Sequence, residues 1–207
     1  MAENRSDARE ILGRSARIES RERATASEAF GQLLGGAGVP GGIVSLEGCN
    51  PEPARMIEGG VSALGDALDS LALSYPSYRW EMQGGVVNVV PAVGTPSLLD
   101  TNIGLLEIDD RMSASLLLQR VFESREVQAR SQELKLHLGR IGVGIGSASR
   151  PGAPPAKRRD PTVRTLRGLT VRQALNAIVL LRGKSVWSYH ERICGQEGVF
   201  NAAMLVD

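Results

Sequence analysis

The chain is poor in the residues from which cores and catalytic sites are most simply built. Aromatic residues are only 4% of its 207 residues, so a packed interior must rest on Leu, Val, Ile and Ala. There are two histidines, His137 and His190, and two cysteines, Cys49 and Cys194. Neither pair has metal-ligand spacing such as C-x-x-C or H-x-x-x-H, so no metal site is expected. Two cysteines in a chain of this length exclude a disulfide scaffold. Inert thiols are the ordinary reading, and a single bridge stays open in an oxidising compartment. No segment approaches the ~20 unbroken apolar residues that span a bilayer. The formal net charge is +1, which argues against a nucleic-acid-coated or membrane-surface protein. Met1 to Asp7 lack the apolar stretch of a secretory signal, and acidic residues interleave the arginines between Arg5 and Arg23, unlike a transit peptide. The chain as it stands reads as cytoplasmic, or as one whose signal has been removed.

Hydrophobic residues make up 42% of the chain, enough for a core, and their spacing is informative. Residues 1–23 are polar and Arg/Glu-rich, with helical spacing at Ala8, Ile11 and Leu12, and read as an arm or short helix. Four stripes at positions i, i+3, i+4, i+7 and i+8 then mark amphipathic helices. They begin at Ala26, Leu64, Ala114 and Val171. Thr25 with Glu28 and Thr170 with Gln173 have the spacing of capping boxes, Ser62 is placed to cap the second helix, and Gly35-Gly36 and Gly183 are placed to end helices. The first stripe maps on the third with an offset of 88 residues and the second on the fourth with an offset of 107. That pattern predicts an internal repeat.

Strand formers agree. Tyr78 to Met82, the Gly84-Gly85 turn and Val86 to Val90 read as a hairpin, and Ser185 to Tyr189 with Gly198 to Ala203 read as a second one with a longer connection. Trp80 and Trp187 share the 107 offset, which places each ring against the second helix of its own half. Ile43 to Leu46, Arg55 to Ile57, Leu134 to Ile145 and Val163 to Leu166 are further strand candidates. Residues 91–102 read as a linker. Ser147 to Pro161, rich in proline and carrying Lys157-Arg158-Arg159, reads as a flexible loop. The predicted fold is α+β: two repeated small modules, 24–98 and 99–207, each with two helices on a small sheet and a C-terminal hairpin.

Candidate chemistry is sparse. Gly139, Gly142, Gly144 and Gly146 lack the spacing of a dinucleotide fingerprint and are followed by proline rather than a helix, so they read as a glycine-rich strand or bulge. Asp109-Asp110 could do acid–base work, but acidic residues ahead of a helix also favour its dipole. Lys157, Arg158 and Arg159 could meet phosphate, or lie solvated. No catalytic, cofactor-binding or metal residue is assigned.

Arg167 to Ile178, with a Gly ahead of a Thr-capped helix carrying an Ala-Leu pair, followed by Val186-Trp187-Ser188-Tyr189, resembles the secretin and TonB short N-terminal domain. Leu105 to Asp109 and the helix at Ala114 to Phe122 resemble its opening strand and first helix, and Gly59, Ser62 and Ala67-Leu68-Asp69 are similar. The resemblance implies a small α/β module that makes protein–protein contacts in the bacterial envelope and has no catalytic residues. The expected function is therefore a non-enzymatic interaction or assembly module with a protein partner or a second copy, periplasmic if the resemblance holds, and with no cofactor. The alternatives are an enzyme or ligand-binding protein with a site between the two modules, and nucleic-acid contact through the basic loop.

Overall fold

The computed structural model describes residues 3–109, 111–145, 163–183 and 185–206. Within them the chain is mixed α+β, with six helices and twelve strands. The polar arm holds α1 (Glu3–Leu12), β1 (Ser15–Ile18) and β2 (Arg21–Ala24). There follow α2 (Ala26–Ala37), β3 (Gly41–Glu47), β4 (Arg55–Ile57), β5 (Gly60–Ala63), α3 (Leu64–Ser74), β6 (Tyr78–Gln83) and β7 (Val86–Pro91). The rest is β8 (Asn102–Asp109), α4 (Ala114–Phe122), α5 (Arg125–Glu133), β9 (Leu136–Ile145), β10 (Val163–Thr170), α6 (Val171–Arg182), β11 (Ser185–Cys194) and β12 (Glu197–Val206).

Four of the helices, α2, α3, α4 and α6, form where the apolar stripes lie, and their ends follow from local hydrogen bonding. Thr25 and Thr170 both close capping boxes, the Glu28 and Gln173 amides donating to the threonine hydroxyls at 3.4 and 3.2 Å. α2 runs past Gly35-Gly36 and ends at Gly38, whose φ of 61° is left-handed. Ser62 does not cap α3. The N-cap is Ala63, because β5 runs straight into the helix, and the Leu64 N–H is taken by the Arg14 carbonyl at 2.8 Å. The start of α6 is tied in the same way, Val171 N–H donating to the Thr101 carbonyl at 3.0 Å.

Six strands form one sheet in the order β6-β7-β3-β11-β12-β9. β7 lies antiparallel to β6 and parallel to β3, and β12 lies antiparallel to β11 and parallel to β9. The two triplets thus have the same order and the same relative senses. They join where β3 runs parallel to β11, Gly41–Glu47 against Val186–Arg192. The expected pair of separate small sheets is therefore corrected: one sheet passes through both halves.

Each face of this sheet carries helices from a different half. Ile43, Val87, Val89 and Val186 pack with α2 and α3 in one core. Val44, Val86, Val90, Trp187 and Met204 pack with α4 and α6 in the other. Two-stranded ribbons lie outside the helices, β1 with β5 and β2 with β4 in the first half, β8 with β10 in the second. Fully buried apolar side chains such as Phe30, Leu68, Leu118 and Ile178 each contribute on the order of 1.5–3 kcal/mol of transfer free energy.

Several expectations need correcting. The arm up to residue 23 contains two strands, paired with β5 and β4, and the Tyr75 hydroxyl ties its end by donating to the Ala24 carbonyl at 2.6 Å. The linker is not free chain, because Leu98 and Leu99 are fully buried. α5 was not expected, and the strand after it begins at Leu136. The second hairpin has longer strands rather than a longer connection, turning at Gly195 with φ 89°. The proline-rich loop and its Lys157-Arg158-Arg159 run lie outside the described residues.

Candidate functional site: the joint and the free edges

The joint between β3 and β11 gathers most of the unusual chemistry. Trp187 sits opposite Gly42 and is wholly buried. A Cβ at Gly42 would lie 2.6 Å from the indole Nε1 and closer still to the ring carbons Cε2 and Cζ2, so the absent side chain is what lets the ring lie across the neighbouring strand. The indole N–H donates to Asn176 Oδ1 of α6 at 2.8 Å. Trp80 makes the corresponding bond to Asp69 of α3, also at 2.8 Å, but is only half-buried.

At the far end of the joint Cys49 and Cys194 form a disulfide across 145 residues of sequence. The ordinary reading of two inert thiols is corrected: the parallel register brings the ends of β3 and β11 together, which spacing along the chain cannot reveal. The Arg192 guanidinium donates to the Cys49 carbonyl at 3.5 Å beside it.

His190 and Ser45 are register partners on this joint. Nε2 of His190 lies 3.1 Å from a Glu47 carboxylate oxygen, an ion pair when the imidazole is protonated. Ser45 is buried and its hydroxyl shares a hydrogen bond of 3.0 Å with the Tyr78 hydroxyl. Burial pushes Tyr78 up to about 12, helped by the nearby carboxylates of Glu52 and Glu47 and opposed by the Ser45 bond. Serine, histidine and carboxylate thus share a face, but this serine is engaged in the interior and not presented to solvent as a nucleophile.

On the opposite face of β11, the Tyr189 hydroxyl donates to Glu191 at 2.5 Å. Both groups are buried. Burial raises the Tyr189 hydroxyl, with the Glu191 charge adding to it, and burial also raises the Glu191 carboxyl against the lowering effect of the tyrosine bond.

The remaining candidates are dispersed. His137 is exposed on β9, its Nε2 3.5 Å from Glu197, beside a shallow cavity of about 320 Å³ that Lys135, Gln132 and Gln196 also line. Asp109 is held by Arg111, with the carboxylate accepting from Nη2 at 2.6 Å and from the backbone N–H at 2.9 Å. It shapes the turn into α4, and Asp110 lies outside the described residues. Gly139, Gly142 and Gly144 belong to β9, with a register shift against β12 between Phe200 and Asn201. Among the described residues no group of three His, Cys, Asp or Glu is placed to hold a metal, and no helix is long and apolar enough to cross a membrane.

The sheet ends in β6 and β9, and among the described residues no strand pairs with the outer side of either. Such rows of unpaired backbone N–H and C=O groups are templates for another strand. Sequence reasoning missed the Ser45–Tyr78 cluster and the Glu191 pair, for which no local pattern exists. Compared with known proteins, the chain matches no family model, no curated protein and no solved structure.

Proposed function

We propose that the chain is a duplicated α+β interaction module that works without catalysis and assembles with protein partners through its sheet edges. The observation that carries this reading is the joint itself. β3 is the edge of one triplet and β11 the edge of the other, and they hold together by parallel strand pairing. Strand addition at such an edge is a general mode of protein recognition, in which backbone bonds give affinity and alternate side chains give specificity.

The duplication is supported by the equal order and sense of the two triplets, and by the paired indole bonds from Trp80 to Asp69 and Trp187 to Asn176. It is supported too by the matching anchors at Leu64 and Val171. In each half the elements run strand, helix, strand, strand, helix, strand, strand once α1, β2, β4 and α5 are set aside, which suits the resemblance to the secretin and TonB short N-terminal domain. A disulfide suits an oxidising compartment such as the bacterial envelope.

The test is association in trans. Segments 1–98 and 99–207, both reduced, should form a one-to-one complex on mixing, and Gly42→Val in the first should abolish it. Segments that fold yet ignore each other, or that acquire structure neither apart nor together, would overturn the reading.

A further inference from the structure

The internal joint specifies what the two free edges are shaped to receive. In the first triplet, Glu81, Asn88 and Gly42 lie in one row across the strands; in the second, Ser188, Ala203 and Gly142 do. The rows next to them begin with Trp80 and Trp187, paired with Val89 and Met204. By these registers β9 stands in its triplet where β3 stands in the other, β6 stands where β11 stands, and Gly142 occupies the place of Gly42.

We propose that β9 of one molecule receives β6 of a second copy of this chain, in parallel, so that molecules add head to tail and the six-stranded sheet continues. The proposal rests on the reading of the edges as interaction surfaces and names their partner. In the internal register Trp187 lies opposite Gly42. Carried across to the free edges, it sets Trp80 of the second copy opposite Gly142.

Four observations fit that occupant. Trp187, covered by β3, is wholly buried, whereas Trp80 at the same place in its triplet remains half-buried; a neighbouring strand is the cover that Trp80 lacks. Among the described residues a Cβ at Gly142 would have nothing nearer than 3.9 Å, so the landing position on β9 is open. Val143 on the same edge is 44% exposed. The register shift opposite Phe200/Asn201 leaves Arg140–Ile145 as the regular stretch of β9, equal in length to β6, Tyr78–Gln83. The faces also agree. Trp80 packs toward the core of α2 and α3, and Gly142 pairs with Ala203 between Ala202 and Met204, which both face the other core. Gly142 therefore points to the side that Trp80 needs.

A joint between two different edges is heterologous and does not close on itself by symmetry. Six strands of right-handed twist, about 20–25° between neighbours, turn each added molecule relative to the last and give an open helical array.

The experiment is sedimentation of the full-length oxidised chain over a wide concentration range, beside Gly142→Val. An added Cβ meets only ordinary contacts at Gly142 among the described residues, and the valine meets the incoming indole only between molecules, so the variant should keep the wild-type thermal midpoint. The wild type should grow through dimer to higher species as concentration rises, and the variant should stay at the mass of one chain. The variant keeps an intact β6, so a small proportion of it added to the wild type should cap and shorten the arrays. A wild type that remains a single chain throughout, a dimer that grows no further, or a variant that assembles like the wild type would each overturn the proposal. Failure here with association of the 1–98 and 99–207 segments intact would remove the self-partner and leave the interaction reading standing.

Discussion

Gly42→Ala adds one methyl group at the centre of the joint, and the structure fixes what it meets. The new Cβ would stand 2.6 Å from Trp187 Nε1, well inside the ~3.5–4.0 Å at which non-bonded heavy atoms sit comfortably. The ring must move by about 1 Å, and it has nowhere free to go, because Trp187 is wholly buried against α6. Overpacking of this kind costs about 1–3 kcal/mol. The shift also strains the bond to Asn176, and a buried donor and acceptor left unpaired add about 1–3 kcal/mol. The expected loss is therefore about 2–6 kcal/mol in urea denaturation. Gly36→Ala is the internal control. Gly36 lies inside α2, and among the described residues nothing beyond the helix's own nearby backbone comes within 4 Å of its Cβ, so there alanine should stabilise by about 0.5–1 kcal/mol. The same chemical change thus has opposite signs at two glycines of one half. A Gly42→Ala protein as stable as the wild type would refute the packing of the indole across β3.

Other consequences concern single groups. Reducing the Cys49–Cys194 bridge releases a closed loop spanning 145 residues of sequence, for which chain entropy alone gives ~5 kcal/mol; Cys49→Ser should lower the urea midpoint accordingly, and an unchanged midpoint would mean the thiols are not joined. The Glu191 carboxyl is raised by burial, so its ionisation disfavours the folded state. The cost is absent below the ordinary carboxylate range and grows as pH rises through the raised value, so Glu191→Gln should be more stable than the wild type at neutral pH and converge with it in acid; parallel pH curves would contradict this. Trp187→Ala should cost about 3–5 kcal/mol, and Trp80→Ala distinctly less, because Trp80 is only half-buried; equal losses would mean that both rings are core.

The four striped helices and the first hairpin were legible because their signals are local. A stripe such as Leu117, Leu118, Val121 and Phe122 can only be satisfied by one buried helix face. What was hidden depends on distant partners. β1 buries little besides Ala16 and owes its existence to pairing with β5. α5 buries only Val127, so it shows no stripe, although its Glu126 accepts from the Gly104 N–H at 3.1 Å. Leu98 and Leu99 sat between prolines and glycine and read as linker, yet they fill a core formed by both halves. The parallel β3–β11 joint leaves no trace in either strand alone, because parallel pairing is set by register and not by a turn. The disulfide and the His190–Glu47 approach both follow from that joint, and so were equally invisible.

Amide hydrogen exchange, read residue by residue, tests the central claim most directly. In dilute oxidised protein the amides of β3 and β11 that point into the joint should exchange only with global unfolding, while the outward amides of β6 and of Arg140–Ile145 exchange freely, and raising the protein concentration should slow that second group. Outward amides of β6 and β9 already protected in dilute solution, or β3 exchanging as an open edge, would contradict the account.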